Sequence, residues 1–392
     1  MTRDFTATGE LPQQIDPHYR RSVSVSVNLD ALRHNLATAR SLCGSKLFAT
    51  IKADAYGHGA VPVARAMTAE YSDTPTVEAN GQLRDPPRAF ADGFAVVTLE
   101  EALELRQSGI RQPILVLQGP QQPDAAEQMQ RERLWPVIHD HHQYAWYSRL
   151  ATRRTLGAWL KVDTGMGRLG FQPTEAIRIL RTDDAINWTG VMTHFACADE
   201  PENPFTDHQL AVFNAIHPTN ALQRSLANSA AILAWPRTRA DWARPGIMLY
   251  GCNPLNRALP PEVELKPVMS VHAPLISAKK LLKGAGVGYA QTWICPQDMP
   301  VGYAAVGYRD GVPRVLDSSA TVLVRGKRCP VVGRVSMDSI AIDLRAVPDA
   351  QPGERVELWG EQLPVDDLAR AAGTISYELL TSIRGRRIYT EC

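Results

Sequence analysis

Residues 47–59 read LFATIKADAYGHG, a short apolar run that ends at Lys52 and passes directly into a glycine-containing turn. Leu47 to Ile51 is continuously apolar, which predicts a buried parallel strand. A lysine at the end of such a strand is poorly solvated, so its pKa falls and a neutral amine becomes available for imine formation with an aldehyde cofactor. A lone lysine at a strand end more often only extends to solvent. Tyr56 and the Gly57-His58-Gly59 sequence that follow favour a functional site.

The amino-acid composition limits the classes of partner that this protein is expected to bind. The chain has 392 residues, 44% of them apolar, which is enough for one large domain or two. Its formal charge of +1, from 42 basic and 41 acidic residues, gives no field to attract nucleic acid or anionic membrane. The six cysteines form no C-x-x-C pair, and neither a signal peptide nor an apolar run of 18 residues is found. We therefore expect a cytoplasmic protein with reduced cysteines and a small-molecule partner.

Apolar runs of strand length recur along the first part of the chain, at 47–52, 93–98, 113–118, 134–139, 157–163, 189–195, 224–229 and 243–250. Segments with helical spacing separate most of them, for example 99–105 and 173–180. Eight strand–helix units within about 225 residues are the size of a (β/α)₈ TIM barrel. A doubly wound open sheet has the same alternation, but the count of eight and the lack of a G-x-G-x-x-G motif after the first strand favour the barrel.

Beyond about Leu265 the sequence changes to short β-rich runs separated by Gly, Pro and Asp, which predicts a mostly antiparallel β domain. We divide the chain into a flexible leader at 1–21, a strand at 22–27 that joins the β domain, a barrel at 28–265 and a C-terminal β domain at 266–392. Asn28 or Asp30 is expected to cap the first barrel helix. The polar residues 68–92 are interpreted as a surface insertion.

The active site of such a barrel lies at the C-terminal ends of its strands, where this chain carries several polar residues. They are Lys52 after the first strand, Arg168 after the fifth, His194 after the sixth, Asn228-Ser229 at the end of the seventh and Arg244-Pro245-Gly246-Ile247 in the eighth. This set suits an anionic, phosphorylated cofactor that forms imines, and pyridoxal 5′-phosphate (PLP) meets those demands. In the sequence HDHH at 139–142, the side chains of consecutive residues are expected to point in different directions. We therefore predict a solvated loop there and no metal site.

The sequence blocks resemble a known family. LFATIKADAYGHG is similar to the PLP-lysine signature of alanine racemases, and further blocks of that family are resembled, in the expected order, by AWLKVDTGMGRLG, THFACADE, ANSAA, ARPGIMLYG, GVGYAQTW, AVGYRDGVPR, GRVSMD and TISYEL. The resemblance runs from about residue 24 to 388. It implies a PLP barrel, a C-terminal β domain and a head-to-tail homodimer with shared active sites. The implied reaction interconverts L- and D-alanine, for peptidoglycan synthesis or alanine catabolism.

The resemblance also implies roles for individual residues. Lys52 matches the lysine that binds PLP and acts as base on the D-isomer, and Tyr289 matches the opposite base, supplied by the other subunit. The other matched positions are cofactor contacts at Tyr56, His194, Ser229, Arg244, Gly246, Ile247 and Tyr377, substrate-carboxylate contacts at Arg168 and the Met337 amide, a gate tyrosine at Tyr308, and Lys161, a lysine often carbamylated. The chain departs from the family where it has Ala290 for a common glycine, Arg309 for a small residue, Val312 for tyrosine and Ser336 for cysteine.

The chemistry agrees with these roles. Racemisation removes a proton from one face of Cα and delivers one to the other, so two acid–base groups must flank a planar intermediate. An arginine opposite the pyridine nitrogen keeps its proton, which makes the ring a weaker electron sink and favours racemisation over other PLP reactions.

Three other functions are compatible with parts of the pattern. A broad-specificity amino-acid racemase would share the scaffold, since one methyl group is worth only ~1–3 kcal/mol of discrimination. A non-catalytic PLP-binding regulatory protein is expected to lack the β domain and Tyr289. A PLP decarboxylase has a similar two-domain plan, but the GVGYAQTW and GRVSMD blocks disfavour that function.

Overall fold

The computed structural model describes residues 23–68, 76–77, 83–84, 90–150, 157–182, 185–216 and 222–391. The predicted leader at 1–21 lies outside these residues, as do most of the predicted insertion at 68–92 and Ser22 of the predicted first strand. For 76–77 and 83–84 the description covers the backbone alone.

Parallel strands form a closed barrel in the first part of the chain. The strands up to residue 244 are β1 (Ser24–Asn28), β2 (Lys46–Thr50), β3 (Thr76–Val77), β4 (Leu83–Arg84), β5 (Gly93–Val96), β6 (Ile114–Val116), β7 (Trp135–Ile138), β8 (Ala158–Lys161), β9 (Trp188–Met192), β10 (Gln223–Asn228) and β11 (Trp242–Arg244). The barrel order is β2, β5, β6, β7, β8, β9, β10 and β11, with β11 pairing back to β2. Each falls within one predicted apolar run or overlaps it, so the predicted (β/α)₈ barrel is confirmed.

Helices connect the barrel strands. They are α1 (Leu29–Cys43), α2 (Lys52–Tyr56, a single turn that is left-handed from Ala53 onward), α3 (Ala60–Ala66), α4 (Leu99–Gln107), α5 (Pro123–Arg131), α6 (His141–Leu150), α7 (Pro173–Thr182), α8 (Phe205–Asn214) and α9 (Ser229–Ala234). As expected, Asn28 caps α1, because its side-chain oxygen accepts from the amides of Asp30 and Ala31, both at 3.0 Å. Among the described residues no helix is both long and apolar enough to cross a membrane.

Aromatic side chains fill the inside of the barrel. The ring of Phe48 stacks on Trp242 with centroids 3.8 Å apart and meets Trp159 edge-on at 5.7 Å. Burying such rings is strongly stabilising. Because the interior is packed, a ligand must bind at an end of the strands.

One predicted strand is shorter than expected. The run 243–250 was assigned to the eighth strand, but β11 ends at Arg244, and Ile247–Tyr250 forms a 3₁₀ turn. Pro245, between them, has no N–H to donate to a sheet. The apolar character of Ile247 to Tyr250 arises from burial in a turn.

The remaining strands form a mostly antiparallel sheet. They are β12 (Met269–Leu281), β13 (Gly286–Val287), β14 (Trp293–Ile294), β15 (Met299–Ala304), β16 (Thr321–Val324), β17 (Lys327–Val332), β18 (Ile340–Asp343), β19 (Arg355–Trp359) and β20 (Arg386–Thr390). The sheet order is β15, β18, β17, β16, β19, β12, β1 and β20, with β12 also pairing to β15. β13 and β14 form a separate hairpin. The predicted β domain is therefore present, and β1 lies in its sheet.

Two compact units divide the chain. Of the described residues, one unit contains 23–25, 271–358 and 384–388, and the other contains those within 26–270, 359–383 and 389–391. The helices α10 (Val365–Ala371) and α11 (Ser376–Ser382) belong to the unit that contains the barrel. The sequence division assigns all of 266–392 to the β domain, whereas 266–270, 359–383 and 389–391 fall in the unit that contains the barrel.

Candidate active site

A cavity of about 960 Å³ opens at the carboxyl ends of the barrel strands. Its lining includes the last residues of five strands, namely Thr50, Lys161, Met192, Asn228 and Arg244. The predicted site residues that also line it are Lys52, Tyr56, Arg168, His194, Ser229, Gly246, Ile247 and Tyr377. The cavity therefore brings together residues as far apart in sequence as Thr50 and Tyr377.

The backbone directly after β2 makes a left-handed turn. The φ angles of Ala53, Asp54, Ala55 and Tyr56 lie between 50° and 53°. For residues other than glycine this conformation costs roughly 1–2 kcal/mol each. Strain of this size persists only where surrounding contacts hold the turn, and it concentrates at functional sites.

α11 packs on the end of this turn. A Cβ atom at Gly57, where φ is 82°, would collide with the backbone carbonyl of Leu380. Glycine is therefore required there both for its φ angle and for the close approach of a helix. This contact helps to hold the strained turn and brings Tyr377, also on α11, to the cavity.

Lys52 is partly buried in this positively charged cavity. Burial, and then the nearby charge of Arg168, lower the pKa of Lys52, while the charge of Glu101 opposes that effect. A lowered pKa increases the fraction of neutral amine near neutral pH. This was the property expected of Lys52 from its position at the end of an apolar strand.

Arg244 is buried at the end of β11 and is held by several oxygen acceptors. Its Nη1 donates to Ser225 Oγ at 2.5 Å, and its Nη2 donates to the Thr193 carbonyl at 2.5 Å and the Leu226 carbonyl at 3.2 Å. Burial lowers the pKa of Arg244 to about 10, so the guanidinium keeps its charge at neutral pH. The cavity therefore contains a fixed, oriented positive charge.

His194 lies beside Arg244, with Nδ1 3.4 Å from Arg244 Nη2. Burial, followed by the charges of Arg244, Lys161, Arg168 and Lys52, holds the pKa of His194 well below its ordinary value. The imidazole is consequently neutral at neutral pH and can accept a hydrogen bond from the guanidinium.

Lys161, the last residue of β8, is also buried. Burial and the charges of Arg244 and Arg168 lower its pKa to about 8. The loop that follows β8 carries Arg168, and Asp163 folds this loop by accepting the amides of Gly165, Met166 and Gly167 at 2.8–3.1 Å. Arg168 itself is exposed toward the cavity.

Gln209 on α8 links this loop to the loop after β9, a role that the sequence analysis does not predict. Its Nε2 donates to Thr164 Oγ1 at 3.2 Å and to the His194 carbonyl at 3.1 Å, while its Oε1 accepts the Ala196 amide at 2.9 Å. Gln209 is fully buried. A glutamine on an amphipathic helix gives no sequence signal of such a role.

One end of the cavity presents hydrogen-bond donors. Burial raises the pKa of Tyr56 and of Tyr377 well above the ordinary value, so both hydroxyls remain protonated. Their rings lie 5.8 Å apart. Ser229 Oγ accepts the Gly246 amide at 2.8 Å, which ties the start of α9 to the segment after β11. A Cβ at residue 246 would lie 2.7 Å from Tyr56 Oη, so only glycine leaves this end open. Hydroxyl and amide donors together suit an anion such as phosphate.

Three predicted site residues belong to the β unit. Tyr289, Tyr308 and Met337 are 67%, 40% and 50% exposed. Tyr308 and Arg309 donate their amides to the carbonyls of Ser336 and Met337, both at 3.1 Å, which joins two of the three loops. Tyr289 lies in a 3₁₀ turn between β13 and β14, and a Cβ at Gly333 would approach the carbonyl of Val287 in that hairpin to 2.8 Å. The loop from 333 to 337 therefore contacts both segments that carry the tyrosines.

The fold and cavity define a (β/α)₈ barrel enzyme that combines a desolvated lysine with a binding site for an anionic group. Family models match the chain as the alanine racemase N-terminal domain at residues 27–79 and 86–254, and as the alanine racemase C-terminal domain at 268–390. The chain belongs to the alanine racemase family.

Individual relatives agree with the family assignment. The alanine racemase of Thioalkalivibrio sulfidiphilus (strain HL-EbGR7) is 45% identical over 94% of this chain and 98% of its own length. The biosynthetic alanine racemase of Pseudomonas aeruginosa has a crystal structure with a TM-score of 0.85 and 40% identity, covering 94% of this chain and 99% of that one. The alanine racemase of Bartonella henselae, solved with covalently bound pyridoxal phosphate, has a TM-score of 0.82 and 27% identity, covering 94% and 99%.

Proposed function

We propose that this protein interconverts L-alanine and D-alanine with PLP as cofactor, by a two-base mechanism that uses Lys52 and Tyr289. The observation that carries the proposal is that a lysine of lowered pKa and an anion-binding end lined by tyrosine, serine and glycine share one barrel cavity. This combination fits a cofactor with an aldehyde at one end and a phosphate at the other.

The cavity residues divide into groups that would hold PLP. Lys52 is the covalent attachment point. Tyr56, Tyr377, Ser229 and the Ile247 amide would bind the phosphate beside Gly246, whose own amide donates to Ser229 Oγ. Arg244, oriented by Ser225 and the Thr193 carbonyl and with His194 beside it, would hold the pyridine nitrogen. When bound, PLP supplies electron withdrawal that acidifies the Cα–H of the amino acid attached to it.

Lys52 and Tyr289 move the protons. Once the substrate amine has replaced Lys52 on the cofactor and so freed its amine, the neutral Nζ of Lys52 would take the Cα proton of the D-isomer, and the Oη of Tyr289 would deliver one to the opposite face; the L-isomer would react with these roles exchanged. Arg168 and the Met337 amide bind the substrate carboxylate. Arg244 retains its proton because a pKa of about 10 keeps the guanidinium charged at neutral pH, so it provides charge without acting as an acid.

Lys161 completes the electrostatics. With a pKa of about 8, part of its amine is neutral at neutral pH. That amine can attack carbon dioxide, forming an N–C bond and releasing a proton, and the resulting carbamate is an anion. It would replace one of the crowded positive charges and orient Arg168.

The second base comes from a partner chain. We propose a homodimer in which Tyr289, Tyr308 and Met337 of one subunit complete the barrel cavity of the other. Three apolar or aromatic side chains on adjoining loops, each 40% exposed or more, support this arrangement, because exposed clusters of this kind mark interaction surfaces.

The test is an assay of the purified protein with PLP against L-alanine and a panel of other L-amino acids, followed by circular dichroism. We expect rapid racemisation of alanine. In Tyr289→Phe we expect PLP to stay bound, turnover to fall by roughly three orders of magnitude or more, and the defect to be larger when L-alanine is the substrate. Lys52→Ala should lose both activity and the cofactor adduct that borohydride makes permanent.

Two results would contradict the proposal. One is wild-type protein that binds PLP and does not racemise alanine, and the other is a Lys52→Ala variant with full activity. A Tyr289→Phe variant that loses stability without any directional defect would assign Tyr289 a packing role only.

A further inference from the structure

Glu101 connects the helix α4 to the turn that carries Lys52. It occupies the third position of α4, and with Thr98 it forms a capping box in which Thr98 Oγ1 accepts the Glu101 amide at 3.3 Å and Glu101 Oε2 accepts the Thr98 amide at 3.2 Å. Oε2 also accepts the Val97 amide at 2.7 Å. These contacts alone would make Glu101 an ordinary helix cap.

The other carboxylate oxygen makes a contact that capping does not require. Oε1 accepts the amide of Ala53 at 2.7 Å. Ala53 directly follows Lys52 and is the first of the four residues with left-handed φ angles. The contact spans 48 positions in sequence, and a short bond from an amide to a carboxylate is among the stronger hydrogen bonds in proteins.

We propose that Glu101 is a positioning residue for Lys52. The Glu101 carboxylate fixes the strained turn after β2 and so sets the direction in which the lysine amine enters the cavity. This inference rests on the proposed function insofar as Lys52 is the base. The contact with Ala53 is independent of that function and can be measured without cofactor.

The charge of Glu101 gives the inference a second readout. Four titratable groups interact electrostatically with Lys52. They are Arg168 on the loop after β8, Lys161 at the end of β8, His194 after β9 and Glu101 on α4. Glu101 is the acidic group in this set, and its charge raises the pKa of Lys52 against burial and Arg168. Removing that charge should lower the pH at which the amine becomes reactive.

The experiment compares four variants with the wild type, all without PLP. Glu101→Ala removes every contact of the carboxylate, and Glu101→Gln keeps its shape and removes its charge. Thr98→Ala breaks the other half of the capping box and leaves the Ala53 contact in place. Glu100→Gln removes an exposed carboxylate from the same helical turn. The measurements are hydrogen exchange of the Ala53 amide and the pH dependence of Lys52 acylation, read by peptide mass spectrometry.

In Glu101→Ala we expect the Ala53 amide to exchange roughly tenfold faster or more, because a hydrogen bond to a charged acceptor is lost. In Glu101→Gln we expect the midpoint of Lys52 acylation to shift to lower pH. Thr98→Ala and Glu100→Gln should leave both quantities unchanged. If Glu101→Ala does not fold, the acylation midpoint of Glu101→Gln decides.

The inference is wrong if the midpoint is unchanged in Glu101→Gln, or if Thr98→Ala reproduces the effects of the Glu101 variants. Racemase activity is measured separately with PLP. Failure of the wild type to racemise alanine would contradict the proposed function, and it would leave the exchange and acylation results to decide the role of Glu101.

Discussion

Ala290 is a residue whose backbone conformation is disfavoured for its side chain. Its φ and ψ angles are 58° and 10°, in the left-handed region, and it directly follows Tyr289 in the hairpin formed by β13 and β14. The family resemblance implies a glycine at this position, and the φ angle gives a physical reason for one. Alanine therefore strains the turn that presents the proposed second base.

Ala290→Gly should raise the free energy of unfolding by up to about 1 kcal/mol, because glycine adopts a positive φ without a Cβ clash. Denaturant unfolding measures the change. Ala285→Gly is the matched control in the same hairpin, since Ala285 has no positive φ and should lose stability through added chain entropy. Equal destabilisation by the two substitutions would contradict the assignment of strain to Ala290.

Sequence reasoning identified individual site residues better than it identified their supports. Lys52 was predictable because an apolar run ends in a lysine followed by glycines. The left-handed turn at Ala53 to Tyr56 was not, since alanine, aspartate and tyrosine carry no signal for positive φ. The Thr98-x-x-Glu101 capping pattern is visible in the sequence, but its contact with Ala53 depends on how two barrel units pack.

Three polar side chains connect the neighbouring strands β12 and β19. Arg355 Nη2 donates to His272 Nδ1 at 2.8 Å, and His272 Nε2 lies 3.4 Å from Glu357 Oε2. Burial and the charge of Arg355 lower the pKa of His272 from 6.5 to about 4. The imidazole is therefore held neutral, as an acceptor from the arginine and a donor to the glutamate.

The titration of His272 should make the protein less stable in acid. Below pH 6.5 the unfolded chain protonates His272 while the folded chain does not, so the free energy of unfolding falls as the pH decreases from 6.5 to 4. The loss attributable to His272 is at most about 3 kcal/mol. Denaturant unfolding at several pH values should show a shallower pH dependence in His272→Gln than in the wild type.

Carboxylates also titrate in this range, so the prediction concerns the difference between variant and wild type. His142→Gln, which replaces an exposed histidine on α6, is the control and should follow the wild type. Parallel curves for His272→Gln and the wild type between pH 4 and 6.5 would contradict the assigned protonation state.

At the level of elements, runs of strand length rich in apolar residues located all eight barrel strands, because strands buried on both faces need mostly apolar residues. The same reasoning predicts an eighth strand that extends too far, to residue 250, because a buried 3₁₀ turn is equally apolar. It could not place α11 with the barrel, because this helix packs on the turn after β2, more than 300 residues earlier in sequence, as in the approach of Leu380 to Gly57.

At the level of the whole molecule, the proposed reaction needs residues from both compact units. Lys52 belongs to the unit with the barrel, and Tyr289 belongs to the unit with the antiparallel sheet. In the proposed homodimer each active site combines Lys52 of one subunit with Tyr289 of the other. Sequence analysis could assign a chemical role to each residue, but how two copies meet depends on surface complementarity, which sequence periodicity does not encode.

The most direct test of this account mixes two inactive variants, Lys52→Ala and Tyr289→Phe, under conditions in which subunit exchange is shown to occur. A mixed dimer has one site with both substitutions and one with neither. Random exchange therefore restores about a quarter of the wild-type number of intact sites. We predict recovery of alanine racemisation to about that fraction of wild-type turnover. A mixture that has exchanged subunits and remains as inactive as its parents would contradict the shared active site.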